Sequence, residues 1–293
     1  MAVVTLSEMM EAGAHFGHQT RRWNPKMSRY IYCARNGVHI IDLVKTAVCM
    51  NSAYKWTRTA ARSGKRFLFV GTKKQASDVV AMEASRCGAS YVNQRWLGGM
   101  LTNWKTISNS IKRYKKLSAD LKNENTGFTK KEILKMGIQR DKLERSLGGI
   151  AEMKKIPDMI FVIDTNIEEL AVKEALKLNI PIVAILDTNS DPAGISYPIP
   201  GNDDARRAIN LYCDLIKQTI IDAQSRMTKI ETTKNQINNK TELKKENKKD
   251  IKNTDKLNEE KKSTKSKEKI KTVKKISKSI ISKVKSLAKK KIK

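Results

Sequence analysis

Three short stretches of the chain are apolar at every position: Phe67–Val70, Met159–Ile163 and Ile182–Leu186. Strands of this kind are buried on both faces, as in a parallel sheet covered by helices. Each runs into a polar turn and then a helical pattern, which the spacing predicts from Thr72 to Arg86, from about Ile167 to Leu178, and from Asp203 to about Ser225. Strand–helix alternation of this type predicts a doubly wound α/β fold. Upstream, Thr5-x-x-Glu8 is a capping-box pattern that opens a short helix stopping near Gly13. A polar, proline-containing loop from His15 to Met27 follows, then strand-like runs at Tyr30–Tyr32 and Val38–Ile41, then a helix from its N-cap Asp42 to about Arg62.

Between Asn103 and Leu147 the pattern changes to two long charged helical segments, 103–122 and 129–146, joined at Asn125-Thr-Gly-Phe128. Ile107, Ile111, Tyr114 and Leu117 form a narrow apolar stripe that Ile133, Met136, Leu143 and Leu147 continue. Such a stripe predicts an antiparallel helical hairpin inserted in the sheet domain; two ordinary surface helices are the alternative. The organisation that follows is a sheet domain over 1–102 and 148–228, an inserted hairpin over 103–147, and a tail over 229–293. The tail lacks proline, glycine and aromatic residues and holds 24 lysines against 8 acids, so it is expected to be mostly disordered. Within it, Ile270, Val273, Ile276, Ile280, Val284 and Leu287 recur at helical spacing, which suits a basic amphipathic helix over 269–290 with RNA as its first-ranked partner.

Charge sharpens this reading. The chain of 293 residues carries a net charge of +29, and such a field calls for an anionic partner, nucleic acid first. Residues 1–116 hold 20 basic and 5 acidic side chains, whereas 117–228 hold 15 and 17. The first part is therefore expected to face phosphate, and the acid-leaning second part to face solvent or protein. The four cysteines are scattered with no close pair, so neither a disulfide framework nor a paired-cysteine zinc site is indicated, and the compartment reads as reducing. The longest apolar runs, such as 180–186, fall far short of the roughly 20 residues that span a bilayer, so no membrane insertion is expected. The N-terminus has neither the basic start nor the apolar stretch of a secretory signal.

A doubly wound sheet invites an enzyme reading, kept as the alternative on fold alone. The chain has no GxxxxGK[ST], no GxGxxG and no GxSxG. Gly71-Thr-Lys73-Lys74 offers two lysines at a helix start, suited to an RNA phosphate or to simple capping. His15 and His18 can begin a metal site with Asp187, Asp191, Asp203 or Asp204, but loop hydrogen bonding is the preferred reading and no metal or other cofactor is assigned. Asp187-Thr-Asn-Ser-Asp191 fails as a calcium loop because its sixth position is Pro192 and its twelfth Pro198.

The segments HFGHQTRRWNPKM (15–27), FVGTKK (69–74), NQRWLGGMLTNWKT (93–106), PDMIFVID (157–164), ILDTNSDP (185–192) and IPGNDDARRAI (199–209) together resemble, in this order, the bacterial-type small-subunit ribosomal protein S-two family, its cyanobacterial and plastid branch included. The resemblance covers about Met1 to Arg226 and does not extend to the tail. It implies a flavodoxin-like parallel sheet with an inserted coiled-coil hairpin, no catalysis, and a place between head and body of the small subunit. It also implies one copy per subunit without homo-oligomerisation, contacts with ribosomal RNA and other ribosomal proteins, and a part in docking the mRNA-binding protein S-one. The location implied is the ribosome of a bacterial cytoplasm or a plastid stroma.

The residues themselves offer matching chemistry. Arg21, Arg22, Lys26 and Arg29 supply charge around the first loop, with Trp23 as a stacking face and Asn24 beside it. Lys73 and Lys74 are further candidates, and Arg95, Trp96, Asn103, Trp104 and Lys105 repeat the mix. Trp96 and Trp104 equally suit packing at the hairpin base. Lys112, Arg113, Lys115 and Lys116 form a dense cluster on the first hairpin helix, suited to phosphate or to plain solvation.

Overall fold

The computed structural model describes residues 4–122 and 128–226. The tail, its 269–290 segment and most of the hairpin turn therefore lie outside the described residues. Helix α1 (Leu6–Glu11) opens with the expected capping box: Thr5 and Glu8 each accept the other's backbone N–H. The first loop is more structured than its polar composition predicts. Strand β1 (Phe16–Gln19) and two 3-10 turns, Thr20–Arg22 and Pro25–Tyr30, occupy it. β1 has no apolar alternation; its pairing is supplied by β3 (Val38–Ile41), which also pairs with β2 (Ile31–Arg35) in an antiparallel sheet ordered β1-β3-β2. Asn36 and Gly37, both at positive φ, make the β2–β3 turn.

Helix α2 (Leu43–Arg62) starts where Asp42 accepts the N–H groups of Val44 and Lys45. The main sheet then uses β4 (Phe67–Val70), β5 (Ser90–Val92), β6 (Met159–Ile163), β7 (Ile182–Leu186) and β8 (Tyr197–Pro200), all parallel, in the order β5-β4-β6-β7-β8. Counted within the sheet this is 2-1-3-4-5, the flavodoxin-like doubly wound order. Alternation along each strand divides the core in two. Phe67, Phe69, Phe161, Ile163, Val183 and Ile185 face one side, packed with α2, α3 (Ser77–Arg86) and a helix over 206–226 (α7). Leu68, Val70, Ile160, Val162, Ala184 and Leu186 face the other, with α4 (Trp104–Asp120), α5 (Lys130–Leu147) and α6 (Glu169–Lys177). Phe69 and Phe161 meet edge to face at 5.4 Å between ring centres.

α4 and α5 form an antiparallel pair: Ile107 and Ile111 share a cluster with Leu143 and Leu147 at the base, while further out Arg113 donates to Gln139. Toward the far end Tyr114, Leu117 and Met136 of the stripe are half-buried and Ile133 is exposed; Leu134 and Ile138, which lie outside the stripe, are exposed as well. α3 begins five residues later than predicted. The chain turns through Thr72–Ala76 first, because Thr72 N–H is drawn to the buried carboxylate of Glu168 at 2.6 Å.

Candidate nucleic-acid interface

In this fold ligands bind at the carboxyl ends of the strands, where the strand order reverses. Here that crevice is filled by the chain itself. Lys73, just beyond β4, places its ammonium 3.2 Å from Asp164 beyond β6, and 2.7 Å from both Asp203 and Asp204 beyond β8. The Lys73 side chain is 10% exposed and that of Asp203 fully buried. Burial works against the Lys73 charge, but hydrogen bonds to Asp203 and Asp204 and the charges of Asp203 and Asp164 outweigh it and hold the ammonium well above its ordinary pKa. Asp203 is pushed up to about 7 by burial and by Asp164 and Asp187, since carboxylates outnumber cations here. His18 Nδ1 lies 2.9 Å from Asp187, which together with Asp203 and Asp204 raises the imidazole's pKa against the opposing effect of burial.

Among the described residues His18, Asp187, Asp203 and Asp204 offer ligand atoms within 4.8 Å of one another and are the group that can hold a cation; Lys73 already meets part of their charge. The other candidates for this role stay apart from it: His15 is not in the group, and Asp191 pairs with Lys26 at 2.6 Å.

The same corner anchors the first loop. Thr188, beyond β7, accepts His18 N–H on its hydroxyl and Asn24 N–H on its carbonyl. The approach is close enough that a Cβ at Gly17 would sit 2.5 Å from the Thr188 methyl. Thus pinned, the loop leaves Arg21, Arg22, Trp23, Lys26 and Arg29 exposed, while Asn24 caps the second 3-10 turn by accepting Lys26 N–H. Trp23 rests against the His39 ring, 5.3 Å between centres, and stays 39% exposed.

The second loop is organised around one carboxylate that the sequence reading did not single out. Glu174 of α6 accepts Trp96 Nε1 at 3.1 Å and Gly99 N–H at 2.7 Å on one oxygen. Its other oxygen accepts Leu101 N–H, Thr102 N–H and the Thr102 hydroxyl. Burial tends to raise the pKa of Glu174, and these bonds more than offset it, so the carboxyl sits below its ordinary value. Trp96 is 6% exposed and Trp104 packs against the same cluster, so of the two readings for these rings the structure adopts packing. Arg95, Asn103 and Lys105 remain on the surface, as do Lys112, Arg113, Lys115 and Lys116 along α4, and Lys74. Lys73 is the one candidate cation turned inward. The signal available in the sequence was slight: Glu174 lies beside Ala171 and Ala175 on the inner face of α6, a position where an acid needs a partner.

Fold and site thus define an α/β protein whose ligand crevice is closed by its own lysine and whose other candidate cations are turned outward. A family model described as "Ribosomal protein S2" matches residues 9–223. The chain is 66% identical over 224 residues to small ribosomal subunit protein uS2 of Prochlorococcus marinus (strain MIT 9211), covering 75% of this chain and 93% of that protein. It is 66% identical to uS2 of Synechococcus sp. (strain CC9902), with 75% and 92% covered. Against uS2c of Paulinella chromatophora it is 62% identical, with 75% and 92% covered. The chain belongs to the ribosomal protein S2 family: it is a structural, non-enzymatic component of the small ribosomal subunit, acting in translation on a cytoplasmic or stromal ribosome.

Proposed function

We propose that the chain binds small-subunit ribosomal RNA between head and body, one copy per subunit, through cations that its own fold leaves unpaired, and that it helps dock ribosomal protein S-one. One observation carries the RNA reading. Arg21, Arg22, Arg29, Lys74, Arg95, Lys105, Lys112, Arg113, Lys115 and Lys116 form no ion pair with any described residue. Surface cations are normally interspersed with acids, and phosphate is the anion that suits so many open positions. Co-sedimentation of the full chain with small subunits at rising salt tests this. Binding that weakens steeply with salt is expected, and binding indifferent to salt would refute it.

As a docking surface for protein S-one, the acid-leaning second half has less support from charge than its composition implies. Asp164, Glu168, Asp187 and Asp203 are all buried, so its surface is more basic than its composition. Support lies instead with β2, at the outer side of the small sheet. Four of its five residues are exposed, and Tyr32, at the irregularity in the β2–β3 register, is 76% exposed. A strand edge that no described strand pairs, bearing a large aromatic residue, is what protein interfaces employ. Subunits carrying Tyr32→Ala should lose S-one in a gradient, whereas a chain cut after residue 228 should keep it; the reverse pattern would overturn the assignment.

A further inference from the structure

We infer that Glu174 is the positioning residue of the second RNA-contact loop: its carboxylate holds Arg95 and Lys105 in the geometry that meets phosphate. The inference rests on the RNA-binding reading above and deepens it. Five donors converge on this one side chain from Trp96, Gly99, Leu101 and Thr102, which together span the turn between Arg95 and Lys105. Gly99 sits at φ +81, and its carbonyl accepts Asn103 N–H at 2.8 Å, so the turn passes into the first residues of α4 without slack. Backbone N–H groups that converge in this way form an anion-binding concavity. Here the anion is supplied in cis from α6, more than 70 residues along the chain from its donors.

The local sequence of the loop does not hold this shape by itself. Arg95 and Lys105 form no ion pair with a described residue, and among the turn's donors three are backbone N–H groups that need an acceptor when water is excluded. The Trp96 ring, buried against Met100 and Leu101, depends on the same carboxylate for its indole N–H. Glu174 touches no RNA in this account and acts through the loop.

A merely structural role would lower stability and leave the number of phosphate contacts in the folded protein unchanged. The test therefore measures two quantities on the full chain: amide exchange at Gly99, Leu101 and Thr102, and the slope of log affinity for small-subunit ribosomal RNA against log salt. Glu174→Gln keeps the size but turns an NH2 toward some of the donors. Exchange should speed up at these three amides and not in β4 or β6, and the slope should fall by about 1.4, the value for two lost single-strand phosphate contacts at about 0.7 each. In a chain already carrying Arg95→Ala and Lys105→Ala, Glu174→Gln should leave the slope where it is. Trp96→Phe, which removes one donor and keeps ring bulk, should give a smaller fall of the same sign and serves if Glu174→Gln does not fold. Freed amides with an unchanged slope, or an unaltered loop, would overturn the inference. A wild-type chain that shows no salt-dependent RNA binding would instead overturn the reading on which it rests.

Discussion

Lys73 and Arg21 belong to the same strongly basic first part of the chain, yet they meet opposite fates. Lys73 is drawn into the crevice at the strand ends and neutralised by Asp164, Asp203 and Asp204; Arg21, on the loop pinned over that crevice, finds among the described residues only the amide oxygen of Gln19. The difference lies in what the chain supplies opposite each charge. Where the fold gathers carboxylates from two strand ends, a lysine becomes part of the core. Where no acid is supplied, the charge stays available to a partner. Net charge read along a sequence does not distinguish these two cases.

The widest contrast should come from removing each kind of cation. Lys73→Met leaves buried carboxylates without their counter-ion, and breaking a buried pair in this way costs about 3–5 kcal/mol. Urea unfolding should show this loss, and a change below about 1 kcal/mol would mean the crevice is not held by the pair. Arg21→Ala with Arg22→Ala should leave unfolding within about 0.5 kcal/mol of the parent. It should lower the salt slope of RNA binding by about 0.9 per lost contact on duplex, or about 0.7 on single strands; an unchanged slope would place these residues away from phosphate.

Lys26 sharpens the comparison because it falls between the two kinds. Its exposed ammonium is 2.6 Å from Asp191, whose carboxyl that bond holds below its ordinary pKa. An exposed pair of this type contributes about 0–1 kcal/mol. Lys26→Ala should therefore cost little in stability and lower the salt slope by less than Arg21→Ala does. Equal falls would show that RNA takes Lys26 from Asp191.

The smallest effect is one of pH. Because the Glu174 carboxyl is depressed in the folded chain, its contribution to stability is present above the ordinary carboxylate pKa and is lost as pH falls through the folded value. The stability advantage of the parent over Glu174→Gln should thus hold near neutrality and shrink below about pH 4.5, the ordinary value for this group. Unfolding curves at several acid pH values read it directly, and an advantage that grows on acidification would contradict the assignment.

Much of the frame was legible because it rests on local patterns. The runs at 67–70, 159–163 and 182–186 announce three central strands, and Asp42 announces α2. The outer strands were not legible. β5 has three residues, and β8 contains Pro198 and Pro200, which suit only a sheet edge. β1 exists because β3 pairs with it, a long-range cause. Exposed candidates such as Arg22, Arg95 and Lys112 were found from charge alone. The inward turn of Lys73 was not, because its partners lie 91 or more residues away. Glu174 escaped for the same reason, its donors being in another loop.

A density map of the small subunit at side-chain resolution tests the central claim most directly. It should show RNA phosphates against Arg21, Arg22, Arg95, Lys105, Lys112 and Lys116, with Lys73 still enclosed by Asp164, Asp203 and Asp204. Phosphate at Lys73, or those six side chains facing solvent or protein, would contradict the division between spent and available charge.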